Sequence, residues 1–274
     1  MLLEFGADLN KLDSFNNNAA HYAAMFGQQQ MLLWLWGNGV EINHSNIHNE
    51  SPLHFACRSG SIEMIQFLLS NGLDATQMTD EERTPIFYAA ESGRLEVVQY
   101  LVKNGCDVHH LDKRSTSILH IATHLGNFEL VRYLIEQKMN LNTENIFNEK
   151  FKKNFFFNFV CFYNDRVFFF KKINEIPIFI AAHKNYANIV YLLLNNGADA
   201  LVQDEKQYSL LEYAVIMGSC KLCSLLLDLK VTFQLDKAFL LSALYGKYDI
   251  FQLFLENNAD TAVVSDVSNC SSFE

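Results

Sequence analysis

The sequence lacks an excess of positive charge and is poor in proline. Its formal net charge is −10, which argues against nucleic-acid binding because phosphate recognition needs clustered lysine and arginine. No apolar stretch flanked by basic residues stands at the N-terminus, so we expect no secretion signal. The three prolines, Pro52, Pro85 and Pro177, turn out to share one position in a repeating pattern.

Disulfide spacing and catalytic motifs are lacking as well. The six cysteines do not have the spacing of a disulfide scaffold, so we expect a reducing compartment, cytoplasmic or nuclear. The sequence contains no glycine-rich phosphate loop, nucleophile elbow or kinase signature. It therefore predicts a protein that is not an enzyme, with no cofactor and no small-molecule substrate.

Glycine recurs at a fixed interval along the chain. Gly27, Gly60, Gly93 and Gly126 are 33 residues apart. A second series with the same spacing is Gly6, Gly39, Gly72 and Gly105, and within a repeat it stands 12 residues after the first. Glycine adopts the positive φ that often ends a helix, so two stops per period predict two short helices, of about 8 and about 10 residues. Such a pair cannot bury its own apolar stripe, and the units must stack on one another.

A second motif identifies the kind of repeat. The segment SPLHFA at 51–56 recurs as TPIFYA at 84–89 and as SILHIA at 117–122. Serine or threonine followed by proline is a helix N-cap with proline at the first helical position, and all three prolines occupy that slot. These residues resemble the ankyrin repeat. The resemblance implies an all-α solenoid of stacked antiparallel helix pairs with short finger loops.

The register divides the chain into four parts. Repeats cover 1–144, an insertion rich in Phe, Lys and Asn covers 145–175, repeats resume over 176–260, and 261–274 is a polar tail. Lys138, Asn185 and Lys230 replace glycine, and we expect their repeats to be softer. Residues 1–12 carry only the second helix of a repeat, so we expect further repeats upstream.

The inserted residues 150–175 allow several interpretations. The apolar run is short and contains polar residues, so a transmembrane helix is disfavoured. A finger insertion forming a β-hairpin that turns at Asn164 and Asp165 and a translated intron both remain open. A membrane-tethered protein that uses this Phe-rich segment is a further functional alternative.

Two groups of residues could carry metal or redox chemistry. His120 and His124 are spaced for zinc on one helix face, with His109 and His110 nearby, but His120 occupies the motif histidine slot, where the ankyrin family ties neighbouring turns together. Cys220 and Cys223 resemble a redox half-site. In register they align with Leu95 and Val98, which predicts buried structural thiols and no metal site.

The resemblance implies that a partner contacts the fingers and the exposed side of each first helix. The helix positions are Met25 and Phe26, Arg58 and Ser59, Glu91 and Ser92, His124 and Leu125, His183 and Lys184, and Ile216 and Met217. The finger positions are Phe15, Ile47, His48, Asp80, Glu81, Lys113, Arg114, Glu205 and Lys206. Their charges are mixed, so no simple electrostatic partner is implied.

Phe15, Met25 and Phe26 form an apolar cluster that is either a binding hot spot or a surface that upstream repeats would cover. We expect a scaffold or adaptor that binds a protein partner of unknown identity. The alternative is the regulatory arm of a larger enzyme or channel encoded beyond these residues.

Overall fold

The computed structural model describes residues 8–145, 176–204 and 207–257. These residues form fourteen α-helices, and the only β-type pairing among them is one isolated antiparallel bridge between Gln203 and Ser209. The chain divides into two compact units, residues 1–140 (unit 1) and residues 141–274 (unit 2). The predicted all-α fold of paired short helices is confirmed.

Unit 1 contains four helix pairs. The first helix of each pair has seven or eight residues and the second has nine. In chain order they are α1 Ala19–Met25, α2 Gln29–Gly37, α3 Pro52–Ser59, α4 Ile62–Ser70, α5 Pro85–Ser92, α6 Leu95–Lys103, α7 Ile118–His124 and α8 Phe128–Glu136.

Unit 2 contains three helix pairs. They are α9 Pro177–His183, α10 Ala187–Asn195, α11 Leu210–Ile216, α12 Cys220–Asp228, α13 Leu235–Leu244 and α14 Tyr248–Glu256. The predicted insertion and tail lie outside the described residues, apart from the first residue of the insertion, Asn145. Among the described helices, none is long and apolar enough to cross a membrane.

The helix ends follow the local sequence. Pro52 is the first residue of its helix after the cap Ser51, and Gly60 ends that helix with a φ of 76°. Lys138 and Lys230 each have a φ of 58° in the slot where other repeats carry glycine. The helix stops are therefore confirmed at these positions, and the expected softness of these repeats remains a prediction.

One apolar position recurs in every described second helix, and its burial differs along the chain. Its occupants in register are Met31, Met64, Val97, Leu130, Ile189, Leu222 and Ile250. Met64 is fully buried, whereas Met31 on α2 is 51% exposed. Ile250 on α14, the last described helix, is only 2% exposed, so burial at this position does not need a helix on both sides; among the described residues no second helix precedes α2.

The prediction that both Cys220 and Cys223 are buried is wrong for one of them. Cys223 is buried, and burial raises the pKa of its thiol to about 12. Cys220 is exposed. It is the first residue of α12, and in the same register Leu95 is only half-buried, so this position lies at the edge of the core.

Candidate binding surface

Each repeat of unit 1 begins with a tight loop, called a finger, that precedes the first helix. Fingers 1 to 4 are residues 13–18, 46–51, 79–84 and 112–117. In finger 1 a side-chain oxygen of Asp13, Oδ1, accepts hydrogen bonds from the backbone N–H groups of Phe15 (2.8 Å) and Asn17 (2.7 Å). Asn46 and Asp112 hold fingers 2 and 4 in the same way. A short polar side chain at the first finger position therefore sets the turn.

Backbone hydrogen bonds join successive fingers into a row. The bonds run from Ile47 N to Phe15 O (2.9 Å), from Asp80 N to His48 O (3.1 Å) and from Lys113 N to Glu81 O (3.0 Å). Six of the finger residues predicted to contact a partner therefore lie side by side. Their backbone positions are fixed by neighbouring fingers, so little chain entropy remains to be lost when a partner binds.

Side chains 29 residues apart make a second contact between fingers. The side-chain amide of Asn46 donates to Asn17 Oδ1 at 3.0 Å, and Arg83 Nε donates to Asp112 Oδ2 at 2.9 Å. In both cases the last part of one finger meets the first residue of the next. The contact is a neutral hydrogen bond between fingers 1 and 2 and an ion pair between fingers 3 and 4.

The motif histidines tie each first helix to a backbone carbonyl further along the chain. His54 Nδ1 accepts from the N–H of Ser51 at 3.1 Å, so Nε2 carries the proton that faces the carbonyl of Gln77 at 3.2 Å. His21 likewise reaches the carbonyl of Glu50 at 3.2 Å. Burial lowers the pKa of each imidazole to about 4, so both are neutral near pH 7.

Ion pairs occupy the middle of the finger face, the surface formed by the fingers and the exposed side of the first helices. Glu91 binds Arg58 and Arg83, each at 3.0 Å, and thereby joins α3, α5 and finger 3. The guanidinium of Arg58 also lies 4.5 Å from the ring centre of Tyr88. Arg58 and Glu91, two residues predicted to contact a partner, thus already form an ion pair with each other within the chain.

Apolar side chains are exposed at the finger 1 end of this face. Phe26 is 66% exposed, Phe15 52% and Ile47 48%, whereas Met25 is half-buried. Tyr22, one helical turn before Phe26, is exposed as well. Phe15, Phe26, Tyr22 and Ile47 are therefore exposed as a binding surface would require, and the hot spot itself stays a prediction.

The other predicted residues of unit 1 lie toward finger 4. Asp80, Lys113 and His124 are exposed, and Leu125 is half-buried. Lys113 Nζ donates to the carbonyl of Asp80 at 3.2 Å. Arg114 pairs with Glu81 at 3.3 Å. Polar contacts between fingers thus continue to the end of the described row.

In unit 2 the corresponding positions carry both charged and apolar side chains. Lys184 and Met217 are exposed, and His183 and Ile216 are half-buried. Glu205 and Lys206 lie outside the described residues. Sequence reasoning missed Leu244, which is 71% exposed, and Tyr245. The signal was available, because these two residues precede Gly246 as Met25 and Phe26 precede Gly27.

Two of the histidines considered for metal binding, His120 and His110, make contacts within the fold. His120 is buried and caps its own helix through Ser117, as the motif slot implies. His110 Nε2 lies 2.7 Å from the carbonyl of Glu82. Within the described ranges, no three residues among His, Cys, Asp and Glu are grouped as a metal site would require.

Comparison with known proteins agrees with this geometry. A family model for ankyrin repeats, in three copies, matches residues 1–79, 31–112, 72–145 and 178–265. The chain belongs to the ankyrin repeat family. The ankyrin repeat is a non-catalytic fold that generally mediates protein–protein interaction.

Among solved structures, the crystal structure of the human ASB11 ankyrin repeat domain is similar, with a TM-score of 0.63 and 20% sequence identity. The match covers 83% of this chain and 89% of that one. At this identity the similarity supports the ankyrin fold and nothing finer. No curated protein matches the sequence.

Proposed function

We propose that this ankyrin repeat chain is a protein–protein interaction scaffold or adaptor that binds a protein partner on its finger face. The observation that carries the proposal is the contrast along that face in unit 1. Its middle is held by ion pairs around Glu91, whereas Phe15, Phe26 and Ile47 are exposed at one end. Exposed aromatic side chains beside a rigid support are typical of interface hot spots.

The ion pairs support recognition by fixing the shape of the surface. Arg58 is held by Glu91 and by the Tyr88 ring, so its position is set before a partner arrives. A surface that is already ordered loses less side-chain entropy on association. The apolar end then supplies affinity, and the charged middle favours partners with complementary charge.

Site-specific photocrosslinking tests the proposal. A photoreactive amino acid replaces Phe26 on the finger face or, as the matched control, Gln66, which is exposed on α4. We expect a discrete crosslinked protein with the substitution at Phe26 and none with that at Gln66. Equal crosslinking from both positions, or adducts from Gln66 alone, would contradict the proposal.

The crosslinked partner then allows the apolar end to be tested directly. Met25→Ala combined with Phe26→Ala should weaken binding of that partner by at least about tenfold, because both truncations remove apolar contact area. Far-ultraviolet circular dichroism confirms that the variant is folded. Unchanged affinity in a folded variant would exclude a hot spot at this end.

A further inference from the structure

Asparagine precedes glycine at the end of four of the seven described second helices. The sequence contains no other pair of this kind, and the four are Asn38-Gly39, Asn71-Gly72, Asn104-Gly105 and Asn196-Gly197. Each asparagine is exposed and is the C-cap residue of its helix, and each glycine has a positive φ. Asparagine loses its side-chain amide most readily before glycine, because glycine has no side chain to shield its backbone nitrogen.

This loss, deamidation, needs only water as a co-reactant. The backbone nitrogen of glycine loses its proton to water and attacks Cγ of the asparagine side chain. A new C–N bond closes a five-membered succinimide ring, and the bond between Cγ and Nδ2 breaks and releases ammonia. Water then opens the ring at either carbonyl. The product is aspartate, or isoaspartate, in which the backbone runs through the former side-chain carbon.

In the folded chain both reacting groups are already engaged. Nδ2 of Asn71 donates to the carbonyl of Phe67 at 2.8 Å, and the N–H of Gly72 donates to the carbonyl of Leu69 at 3.1 Å. The first bond turns the side chain back over the preceding helical turn, away from the glycine nitrogen. The second bond makes the glycine proton harder to remove. The helix end therefore opposes ring closure.

The other three pairs are held in the same way. Nδ2 of Asn104 donates to the carbonyl of Tyr100 at 2.8 Å, and Nδ2 of Asn196 donates to the carbonyl of Leu192 at 2.8 Å. The glycine that follows each of them donates its N–H to a carbonyl of the last helical turn, at 3.1 and 3.2 Å. Asn38 has the same tether at 2.7 Å. The protection is thus a property of the helix end and recurs in both units.

The product of deamidation cannot remake this cap. An aspartate at position 71 has no N–H group to donate to the carbonyl of Phe67. Its negative charge lies at the C-terminal end of the helix, where the helix dipole is also negative. Isoaspartate in addition lengthens the backbone by one carbon atom. A helix end that has reacted is therefore weakened permanently.

We propose that these four asparagines are deamidation sites that the folded helix end protects and that local opening exposes. Each opening gives the reaction a chance to proceed, and a reacted repeat keeps a carboxylate as an irreversible mark of having opened. The sites cap second helices, whereas the finger face consists of fingers and first helices. The inference is therefore independent of the proposed function.

Peptide mapping by mass spectrometry measures the reaction at each site. The chain is incubated in mildly alkaline buffer, once folded and once unfolded in urea. We expect all four pairs to react at similar rates in urea and to be slowed by about tenfold or more in the folded chain. Asn257 is the internal control, because it has the same side-chain tether but is followed by Asn258, and it should react slowly in both conditions. Equal rates at the four pairs with and without urea would overturn the proposal.

Two matched variants test whether opening controls the rate. Leu68 and Leu193 stand in the same register and are fully buried, and the carbonyl of each accepts from the N–H of the asparagine that caps its helix, at 3.2 and 3.1 Å. Leu68→Ala should raise the rate at Asn71 by about tenfold or more and leave Asn196 unchanged. Leu193→Ala should do the reverse.

Far-ultraviolet circular dichroism confirms that both variants are folded, and the comparison with urea decides the question for the unaltered chain if either is not. Unchanged rates at both neighbouring asparagines in folded variants would overturn the proposal.

The effect of the mark is measured with Asn104→Asp and its control Asn104→Ala. Both remove the hydrogen bond to the carbonyl of Tyr100, and only the first adds a charge. We expect the melting temperature to fall with alanine and to fall further with aspartate. An Asn104→Asp variant as stable as the unaltered chain would show that deamidation leaves no lasting mark, which contradicts the proposal.

Discussion

Units 1 and 2 use different chemistry at the same structural position. In unit 1, His21 and His54 cap their own helix and reach a backbone carbonyl further along the chain, that of Glu50 in the next repeat for His21 and that of Gln77 in the same repeat for His54. In unit 2 the slot is filled by Glu212, which accepts from the N–H of Ser209 at 2.7 Å and pairs with Lys237 at 2.8 Å. A neutral imidazole and a buried ion pair both bond in two directions from this slot, whereas Phe87 in unit 1 and Phe179 in unit 2 fill it with a buried apolar ring.

The apolar layer beneath these joints does not differ between the units. Met64 in unit 1 and Leu222 in unit 2 stand in the same register, and both are fully buried. The core position is therefore apolar and buried within each unit, and the two units differ in their polar connections. The stability of unit 1 can be measured separately from that of unit 2. Both tryptophans of the chain, Trp34 and Trp36, lie in unit 1, so tryptophan fluorescence reports the unfolding of that unit.

The largest effect should come from truncating the shared layer. Met64→Ala and Leu222→Ala should each lower the free energy of unfolding by about 2–5 kcal/mol, because each leaves a cavity in the core. Met31→Ala, in the same register but exposed, should cost less than about 1 kcal/mol. Urea unfolding followed by tryptophan fluorescence reports Met64 and Met31, and peptide-level hydrogen exchange reports Leu222. A large loss of unfolding free energy for Met31→Ala would contradict the exposure of this position on α2.

Acid should weaken unit 1 through its motif histidines. Their pKa is about 4 in the folded state and about 6.5 when unfolded, so the unfolded state binds more protons between these values. Their contribution is complete above pH 6.5 and is lost as the pH falls toward 4. The free energy of unfolding should fall by about 1.4 kcal/mol per pH unit for each histidine.

The control for this pH effect is His54→Gln, because glutamine can also reach back to the N–H of Ser51. Tryptophan fluorescence during urea unfolding should show a shallower pH dependence, by about one histidine's contribution. An unchanged slope would show that His54 does not titrate as its burial implies.

Removing the cation from the unit 2 joint should have a smaller cost. Lys237→Met leaves the fully buried Glu212 without its counter-charge, and we expect a loss of about 2 kcal/mol. Lys221→Met, at an exposed position on α12, should change stability by less than about 0.5 kcal/mol. Hydrogen exchange of α11 and α13 measures both variants. Equal effects would mean that the ion pair does not join the repeats.

The smallest effect should be a gain. Lys230→Gly places glycine at a φ of 58°, and we expect stabilisation of about 0.5–1 kcal/mol. Gly105→Ala is the reverse control in unit 1, since its φ is 91° and an added Cβ would meet no atom within 4 Å. It should therefore cost about 1 kcal/mol from backbone strain alone. A loss of stability for Lys230→Gly would contradict this reasoning.

The sequence predicted the features that depend on local backbone preference. Glycine spacing located the helix ends, and proline marked the helix starts, because both act through φ of a single residue. The exposure of Cys220 was not predicted, because register alone does not separate the core from its edge. The pairing of Arg83 with Asp112 was missed, since it joins side chains from different fingers and has no local signal.

The contacts made 29 residues apart have a consequence for the order of the repeats. Excising residues 51–83 would keep the 33-residue period intact and would move Glu50 into the position of Arg83. Glu50 would then face Asp112, so two carboxylates would meet where a guanidinium and a carboxylate now pair. The copies share one shape, yet they are not interchangeable, because each is matched by charge to the neighbour it follows.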